Sequence, residues 1–74
     1  MERLQAFIYD NGDEIETVER RDALTTYEGL DIPIQDMVRD SAGNVVITLE
    51  DGKIVHIPAH RLIHLQYGHD VQTT

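Results

Sequence analysis

The clearest pattern of hydrophobic and polar positions predicts a β-hairpin over residues 44–57. Apolar residues recur at every second position from 45 to 49, and residues 54–57 return after Asp51-Gly52. A period of two is typical of strands, and Asp-Gly between two such runs favours a tight turn. A two-residue loop sets these cross-strand pairs: Glu50 with Lys53, Leu49 with Ile54, and Val46 with Ile57. Because this register leaves apolar residues on both faces, it predicts curved strands covered on both sides, as in a small barrel.

A second hairpin is predicted near the start of the chain. Residues 4–9 are rich in apolar and aromatic side chains, and Asn11-Gly12 follows them. Both turn residues tolerate the positive φ of tight hairpin turns. A two-residue loop would place Asp10 opposite Asp13, where like charges repel. We therefore expect a three-residue loop, Asn11-Gly12-Asp13, that brings two pairs of side chains together: Tyr9 with Ile15, and Ala6 with Val18.

Residues 19–32 have a mixed pattern. Leu24, Tyr27 and Leu30 recur at every third position, which would suit one face of a short helix. The β-branched pair Thr25-Thr26 favours a strand instead, because branched side chains are restricted in helices. We expect a strand here, with the short helix as the alternative.

Residues 32–39 are predicted to be extended, because the residue before Pro33 avoids the helical region. Proline cannot donate a hydrogen bond to a neighbouring strand, so Pro33 belongs at a strand start or on a sheet edge. Residues 41–44, Ser-Ala-Gly-Asn, predict a four-residue turn into the central hairpin.

The chain after the central hairpin predicts a turn and a last strand. Pro58-Ala59-His60 ends the pairing, and the alternation that follows places Ile63, Leu65 and Tyr67 on one side. The alternative is a helix over residues 58–67, with Pro58 in its first turn and Gly68 as its C-cap.

The order of hairpin, proline-containing turn and final strand over residues 33–67 is similar to the end of SH3-like and Sm-like barrels. This resemblance is one of topology and implies a small barrel. We therefore expect one mostly β domain over residues 1–67: a strongly curved antiparallel sheet or SH3/Sm-like barrel of five to six strands, possibly with one short helix. The acidic first half would wrap outside the core, and residues 68–74 would be a frayed polar tail.

Composition narrows the function classes. The 74-residue chain has a formal charge of −8, and residues 1–37 hold ten acidic and three basic side chains. Such a charge disfavours nucleic acid and anionic membranes, whose phosphates attract basic surfaces. No apolar run approaches the ~20 residues of a membrane span, and the first residues do not resemble a signal peptide. Together with the absence of cysteine, these features lead us to expect a soluble cytoplasmic protein.

The residues that could carry catalysis are few. Ser41 is the only serine and lies in a predicted turn, there is no cysteine, and no phosphate-binding glycine loop is present. A domain of this size also has little room for a pocket of several hundred Å3. We therefore expect neither an enzyme nor a cofactor.

Two groups of residues could bind a metal ion. His56, His60 and His64 recur every four residues, but Pro58 prevents one helix from carrying all three, so they are weak candidates. The acidic loop over residues 10–16 lacks the glycine in the sixth position that an EF-hand requires. We expect no metal site.

The leading hypothesis is a protein-interaction or regulatory module that occupies a basic partner protein. Arg20-Arg21 would pair locally with Glu16, Glu19 or Asp22. The expected partner-binding residues are Asp10, Asp13, Glu14, Glu16, Glu19, Tyr27 and Glu28.

Two alternatives remain open. The first is a homo-oligomeric structural subunit that pairs through an edge strand beginning at Pro33 or through the C-terminal strand. The second is an Sm-like RNA binder whose bases Arg39, Lys53 and Arg61 would have to converge on one face.

Overall fold

A computed structural model describes residues 3–25 and 29–68 of the chain. Within these ranges seven β-strands and one 3₁₀ turn form two antiparallel sheets that curl into a half-barrel, which confirms the mostly β, strongly curved class. The elements are β1 (Arg3–Asp10), β2 (Ile15–Glu19), β3 (Ala23–Thr25), β4 (Asp31–Arg39), β5 (Val45–Leu49), β6 (Ile54–Ile57), the 3₁₀ turn η1 (Ala59–Arg61) and β7 (Leu62–Gly68).

The core lies between the two sheets. One sheet has the order β2-β1-β7 and the other has the order β3-β4-β5-β6. Both contribute buried side chains, which are Leu4, Phe7, Val18, Ile34, Met37, Val45, Ile47, Leu49 and Ile57. The expectation that the acidic first half lies outside the core is therefore wrong. Strands β1 and β2 place Leu4, Phe7 and Val18 inside.

The central hairpin exists where expected, but its register differs by one residue. Thr48 lies opposite Ile54, and the backbone N–H of Leu49 donates to the Lys53 carbonyl at 2.9 Å. The loop thus has three residues and ends on Gly52, whose φ of +92° suits the last position of such a loop. Because a shift of one residue exchanges the faces of a strand, β5 has one buried apolar face, and Ile54 is 59 % exposed on the other. The prediction that both faces are covered is wrong.

The first hairpin shows the same kind of difference. Asp10 lies opposite Ile15, so the loop has four residues rather than three. The side chain of Asn11 closes it, because its Oδ1 accepts hydrogen bonds from the backbone N–H groups of Asp13 and Glu14, both at 2.9 Å. The register therefore pairs Phe7 with Val18 and Tyr9 with Glu16, and the predicted pairs of Tyr9 with Ile15 and of Ala6 with Val18 are wrong.

Strand β3 confirms the expected strand for residues 23–25, whereas residues 26–28 lie outside the described ranges. Pro33 lies near the start of β4, as predicted, opposite Ala23. Its carbonyl accepts a hydrogen bond from the backbone N–H of Glu50 at 3.0 Å. Because β4 pairs with both β3 and β5, it is not the free edge strand that the oligomer alternative places at Pro33.

The end of the described chain is a turn and a strand rather than a helix. The 3₁₀ turn follows Pro58, and β7 pairs with β1. The β1–β7 register shifts at two places, one of which leaves Ile63 without a partner opposite it. This bulge breaks the alternation, so Leu62 and Leu65 pack against the core while Ile63 is exposed. Leu65 and Tyr67 share one side of β7, opposite the buried Phe7 and Leu4, so the predicted common side is wrong for Ile63 only.

Candidate functional site

The tip of the first hairpin is an exposed acidic loop. Asp10, Asp13 and Glu14 are all exposed there. Asp10 also holds the loop together, because its Oδ1 accepts a hydrogen bond from the backbone N–H of Gly12 at 2.8 Å. Arg61 lies beside the tip, with its Nη1 3.6 Å from the position of a Cβ added at Gly12. Arg61 lines a surface hollow with Asp10 and Gly12, so this base reduces the negative potential on that side of the loop.

Glu16 lies inside the curve of the sheet and forms a pair with Tyr9. The Tyr9 hydroxyl donates a hydrogen bond to Oε2 of Glu16 at 2.9 Å across the β1–β2 ladder. Burial, and then the hydrogen bond to the Glu16 carboxylate and its charge, raise the pKa of Tyr9 to about 12. Tyr9 therefore stays protonated at neutral pH and holds the Glu16 carboxylate in one orientation.

The other predicted partner-binding residues do not join this pair. Glu19 is exposed on β2, one position from the buried Val18 and therefore on the opposite face of the strand. Tyr27 and Glu28 lie outside the described residues. The predicted surface is thus divided among the hairpin tip, the inner face of β2 and its outer face.

A cleft of about 500 Å3 opens between β2 and β3 on the side where Glu16 lies. Its walls are the inner side chains of β2 and the short strand β3, and its floor includes the ends of the central hairpin. Two carboxylates, Glu16 and Asp22, line it together with apolar side chains, and the described residues around it include no base. The apolar lining residues are Val18, Ala23, Leu24, Leu49 and Val55.

Arg20, which directly follows β2, connects the two sheets at a second place, beside a cleft of about 360 Å3. Its Nε donates to the Leu4 carbonyl at 2.8 Å, its Nη2 to the Met37 carbonyl at 2.6 Å, and its Nη1 to Oδ1 of Asp36 at 2.7 Å. The Arg20 side chain is 13 % exposed and that of Asp36 52 %. The hydrogen bond from Arg20, followed by one from the Met37 backbone N–H, holds the pKa of Asp36 below its ordinary value. The prediction that Arg20 pairs with Glu16, Glu19 or Asp22 is wrong, because its guanidinium reaches the other sheet.

The histidines lie on three separate elements: His56 on β6, His60 in the 3₁₀ turn and His64 on β7. Within residues 3–25 and 29–68, no group of three His, Asp or Glu side chains is close enough to hold a metal ion. Ser41 lies in the turn between β4 and β5. There Asp40 accepts hydrogen bonds from the backbone N–H groups of Ala42 and Asn44, which is a structural role.

The three bases of the RNA-binding alternative have different local contacts. Arg39 donates from Nε to the Gly43 carbonyl at 3.1 Å. Lys53 lies 3.9 Å from Asp51 at the tip of the central hairpin. Arg61 lies by the first hairpin tip. Gly43, which Arg39 contacts, also lies by Ala59 at the start of the 3₁₀ turn that holds Arg61, so Arg39 and Arg61 are on neighbouring loops, whereas Lys53 is at the central hairpin tip.

The expectation that the domain has little room for a pocket of several hundred Å3 is wrong, and of the cleft residues only Glu16 was predicted as a site residue. Asp22, Leu24, Leu49 and Val55 come from three places in the chain and meet only after the sheets curl. One local indication is available: Arg20-Arg21-Asp22 separates two extended segments but lacks the Asn-Gly or Asp-Gly pair of a tight hairpin. Adjacent strands without a hairpin turn can diverge, and β2 and β3 belong to different sheets.

Comparisons of the chain with protein-family models, with curated proteins and with solved structures find no match. The described residues also contain no helix with the length and hydropathy that crossing a membrane would require.

Proposed function

We propose that this protein is a small acidic interaction module that regulates a basic partner protein by occupying one of its surfaces, without catalysis and in the cytoplasm. The observation that carries the proposal is the direction of Arg20. Its guanidinium turns away from the first hairpin to the Leu4 and Met37 carbonyls and to Asp36. The acids of the hairpin are therefore not neutralised by the base nearest to them in the sequence.

Three features of the molecule support this function. The exposed acids Asp13 and Glu14 project at a hairpin tip, where a partner can approach them without obstruction. The formal charge of −8 favours encounter with a positively charged surface. Like other acidic interfaces, this surface would increase the association rate and the selectivity more than the affinity. The absence of cysteine is compatible with the cytoplasm as the compartment.

The test is affinity purification from the native host followed by mass spectrometry, with two charge-matched variants. Asp13→Asn with Glu14→Gln removes two charges at the first hairpin tip. Glu50→Gln with Asp51→Asn removes two at the tip of the central hairpin. We expect the wild type and the central-hairpin variant to retain a basic partner in low salt. The first-hairpin variant should retain the same partner less well. Raising the ionic strength from about 0.1 M to 1 M shortens the screening length from about 10 to 3 Å and should release the partner.

Equal retention of every partner by both variants at both ionic strengths would contradict the proposal. The comparison removes the same charge at two hairpin tips, so a general loss of acidity cannot explain a difference between them.

A second candidate function, a homo-oligomeric structural subunit, is favoured by one observation. Strand β7 pairs only with β1 among the described strands, and it carries Ile63 and Tyr67 at 55 % and 44 % exposure. An unpaired edge with exposed apolar side chains can pair with a second copy. Sedimentation over a range of concentrations tests this candidate, and a monomer at the highest concentration would exclude it.

A further inference from the structure

We infer that the cleft between β2 and β3 binds an extended basic segment of the partner protein, which pairs with the free edge of β2 as an added strand. This inference rests on the proposed function and names the site at which the basic partner would be held. Four observations lead to it: the free edge of β2, the unpaired edge of β3, the apolar floor and the two carboxylates.

The free edge of β2 follows from its hydrogen bonds to β1. The Asn11 N–H donates to the Glu14 carbonyl, and the Arg20 N–H donates to the Gln5 carbonyl. In an antiparallel pair, the residues of one strand alternate between facing the partner strand and facing away from it. Residues 14, 16, 18 and 20 therefore direct their backbone groups to β1. Ile15 and Thr17 direct theirs outward, where no described strand pairs with them.

Strand β3 presents a second unpaired edge across the cleft. The Ile34 N–H donates to the Asp22 carbonyl at 3.0 Å, so Asp22 faces β4. By the same alternation Ala23 and Thr25 direct their backbone groups away from β4. Strands β2 and β3 follow each other in the chain but do not pair, and the cleft lies between them. An extended segment that enters this space could therefore form hydrogen bonds with unpaired backbone donors and acceptors.

The lining of the cleft suits long basic side chains. Leu24, Leu49 and Val55 provide apolar surface, while Glu16 and Asp22 provide negative charge. Lysine and arginine combine an aliphatic stem with a charged end, so the stem can pack on the apolar surface while the charge meets a carboxylate. Tyr9 holds the Glu16 carboxylate by its hydrogen bond of 2.9 Å, which orients one of these anchors before the partner binds.

The same features exclude other occupants of the cleft. An anion would meet two carboxylates and no base among the described lining residues. A fully apolar segment would partly desolvate the Glu16 and Asp22 carboxylates without bringing a positive charge to them, which is unfavourable. Pairing on a strand edge, with alternate side chains in pockets, is an established way to bind extended peptides. The combination of edge, floor and charge therefore selects an extended segment with a lysine or arginine at alternate positions.

The first experiment uses a defined probe, the capped peptide Thr-Lys-Val-Lys-Thr-Lys-Val, with ¹⁵N-labelled full-length protein in low salt. We expect saturable amide shift changes at Ile15, Thr17, Leu24 and Val55, and little change at Gly52 on the central hairpin tip. The variant Glu16→Gln with Asp22→Asn should bind about tenfold more weakly. The control Asp13→Asn with Glu14→Gln removes the same charge outside the cleft and should bind the peptide within about threefold of the wild type.

The second experiment separates strand pairing from charge attraction. The same peptide with methyl groups on alternate backbone nitrogens keeps its charges but cannot donate to β2, and we expect binding weaker by about threefold to tenfold. On the protein, Thr17→Pro removes a donor that faces away from β1, so it should block the added strand while leaving the β1–β2 hydrogen bonds. Thr17→Val is its control. The methylated peptide gives an answer even if the proline variant does not fold.

Two results would overturn the inference. One is equal binding of the methylated and unmethylated peptides with shift changes confined to residues 10–14, which would place the basic segment on the hairpin tip. The other is no saturable binding of the unmethylated peptide. Neither result would contradict the proposed function. That function is tested separately by the affinity purification, which uses the natural partner and depends on Asp13 and Glu14. If the peptide binds in the cleft but both charge variants retain every partner equally in the affinity purification, only the proposed function is contradicted.

Discussion

The two junctions between the sheets differ in how they are closed. At one, Arg20 donates to the carbonyls of Leu4 and Met37 and to the carboxylate of Asp36, so a single side chain joins β1, β2 and β4. At the other, β2 and β3 diverge and leave a cleft of about 500 Å3. We call these the clasped junction and the open junction. A cleft of about 360 Å3 also lies beside Arg20, so the clasped junction is bridged by one side chain and is not sealed. The difference between the junctions is this bridge, while the shared core holds the two sheets together.

The largest effect is expected from the core between the two sheets. Phe7 is fully buried, whereas Leu24 on the wall of the open junction is half-buried. Phe7→Ala should lower the free energy of unfolding by about 3–5 kcal/mol, through lost burial and the cavity that remains. Leu24→Ala should lower it by about 1–2 kcal/mol, because less apolar surface is lost. Urea denaturation measures both losses. Equal losses would contradict the expected difference between the core and the wall of the open junction.

The next effect tests the clasp itself. Arg20→Met keeps an unbranched side chain but removes all three hydrogen bonds, leaving the Leu4 and Met37 carbonyls without this donor. We expect the free energy of unfolding to fall by about 2–4 kcal/mol, because the lost bonds are charge-assisted and largely buried. The control is Lys53→Met at the exposed tip of the central hairpin, which should change it by about 0.5 kcal/mol or less, because its ion pair with Asp51 is long and exposed. A small effect of Arg20→Met would mean that the core alone closes this junction.

A smaller effect is expected at the open junction from Tyr9→Phe. This substitution removes the 2.9 Å hydrogen bond to Glu16 and should cost about 0.5–1 kcal/mol of stability. The pKa of Tyr9 is raised from 10.0 to about 12, so its contribution is complete below pH 10 and is lost as the pH rises through about 12. Ultraviolet titration of the tyrosines should show one late-ionising group that is absent from the variant. Its persistence in Tyr9→Phe would assign the late ionisation to another tyrosine.

The smallest effect is expected on the stability of the protein at acidic pH. The Arg20 hydrogen bond holds the pKa of Asp36 below its ordinary value of 3.8. A carboxyl with a lowered pKa in the folded state stabilises the protein above 3.8 and loses that contribution as the pH falls through the lowered value. We expect Asp36→Asn to flatten the loss of stability in this acid range, and Glu50→Gln, on the exposed central tip, to leave it unchanged. Denaturation curves from pH 6 downward make the comparison.

Both hairpins could be predicted from the sequence because each needs only local features, namely alternation and an Asn-Gly or Asp-Gly turn. Their registers could not. Hairpins with loops of two, three or four residues differ in free energy by little more than one hydrogen bond. Here the hydrogen bonds of the Asn11 side chain select the loop of the first hairpin, and Gly52, with its φ of +92°, selects the loop of the central hairpin. The bulge at Ile63 has the same origin, because it depends on how β7 meets β1 rather than on its own sequence.

The candidate site was predicted in part for similar reasons. The acids of the first hairpin are apparent in the sequence, and Glu16 does line the cleft. The partner of Arg20 could not be inferred, since Asp36 and Met37 lie 16 and 17 residues away on the other sheet. Leu49 and Val55 have the pattern of ordinary core residues, and only the divergence of β2 and β3 makes them part of the lining of a cleft.

The sequence by itself determined the β class, the acidic charge of the first half, the positions of the turns and the absence of thiol chemistry, because these depend on composition and near neighbours. The tertiary structure decided the strand registers, the inward turn of Arg20 and the opening between β2 and β3. Those features arise from contacts between distant segments, where a few hydrogen bonds select among arrangements that local preferences leave nearly equal.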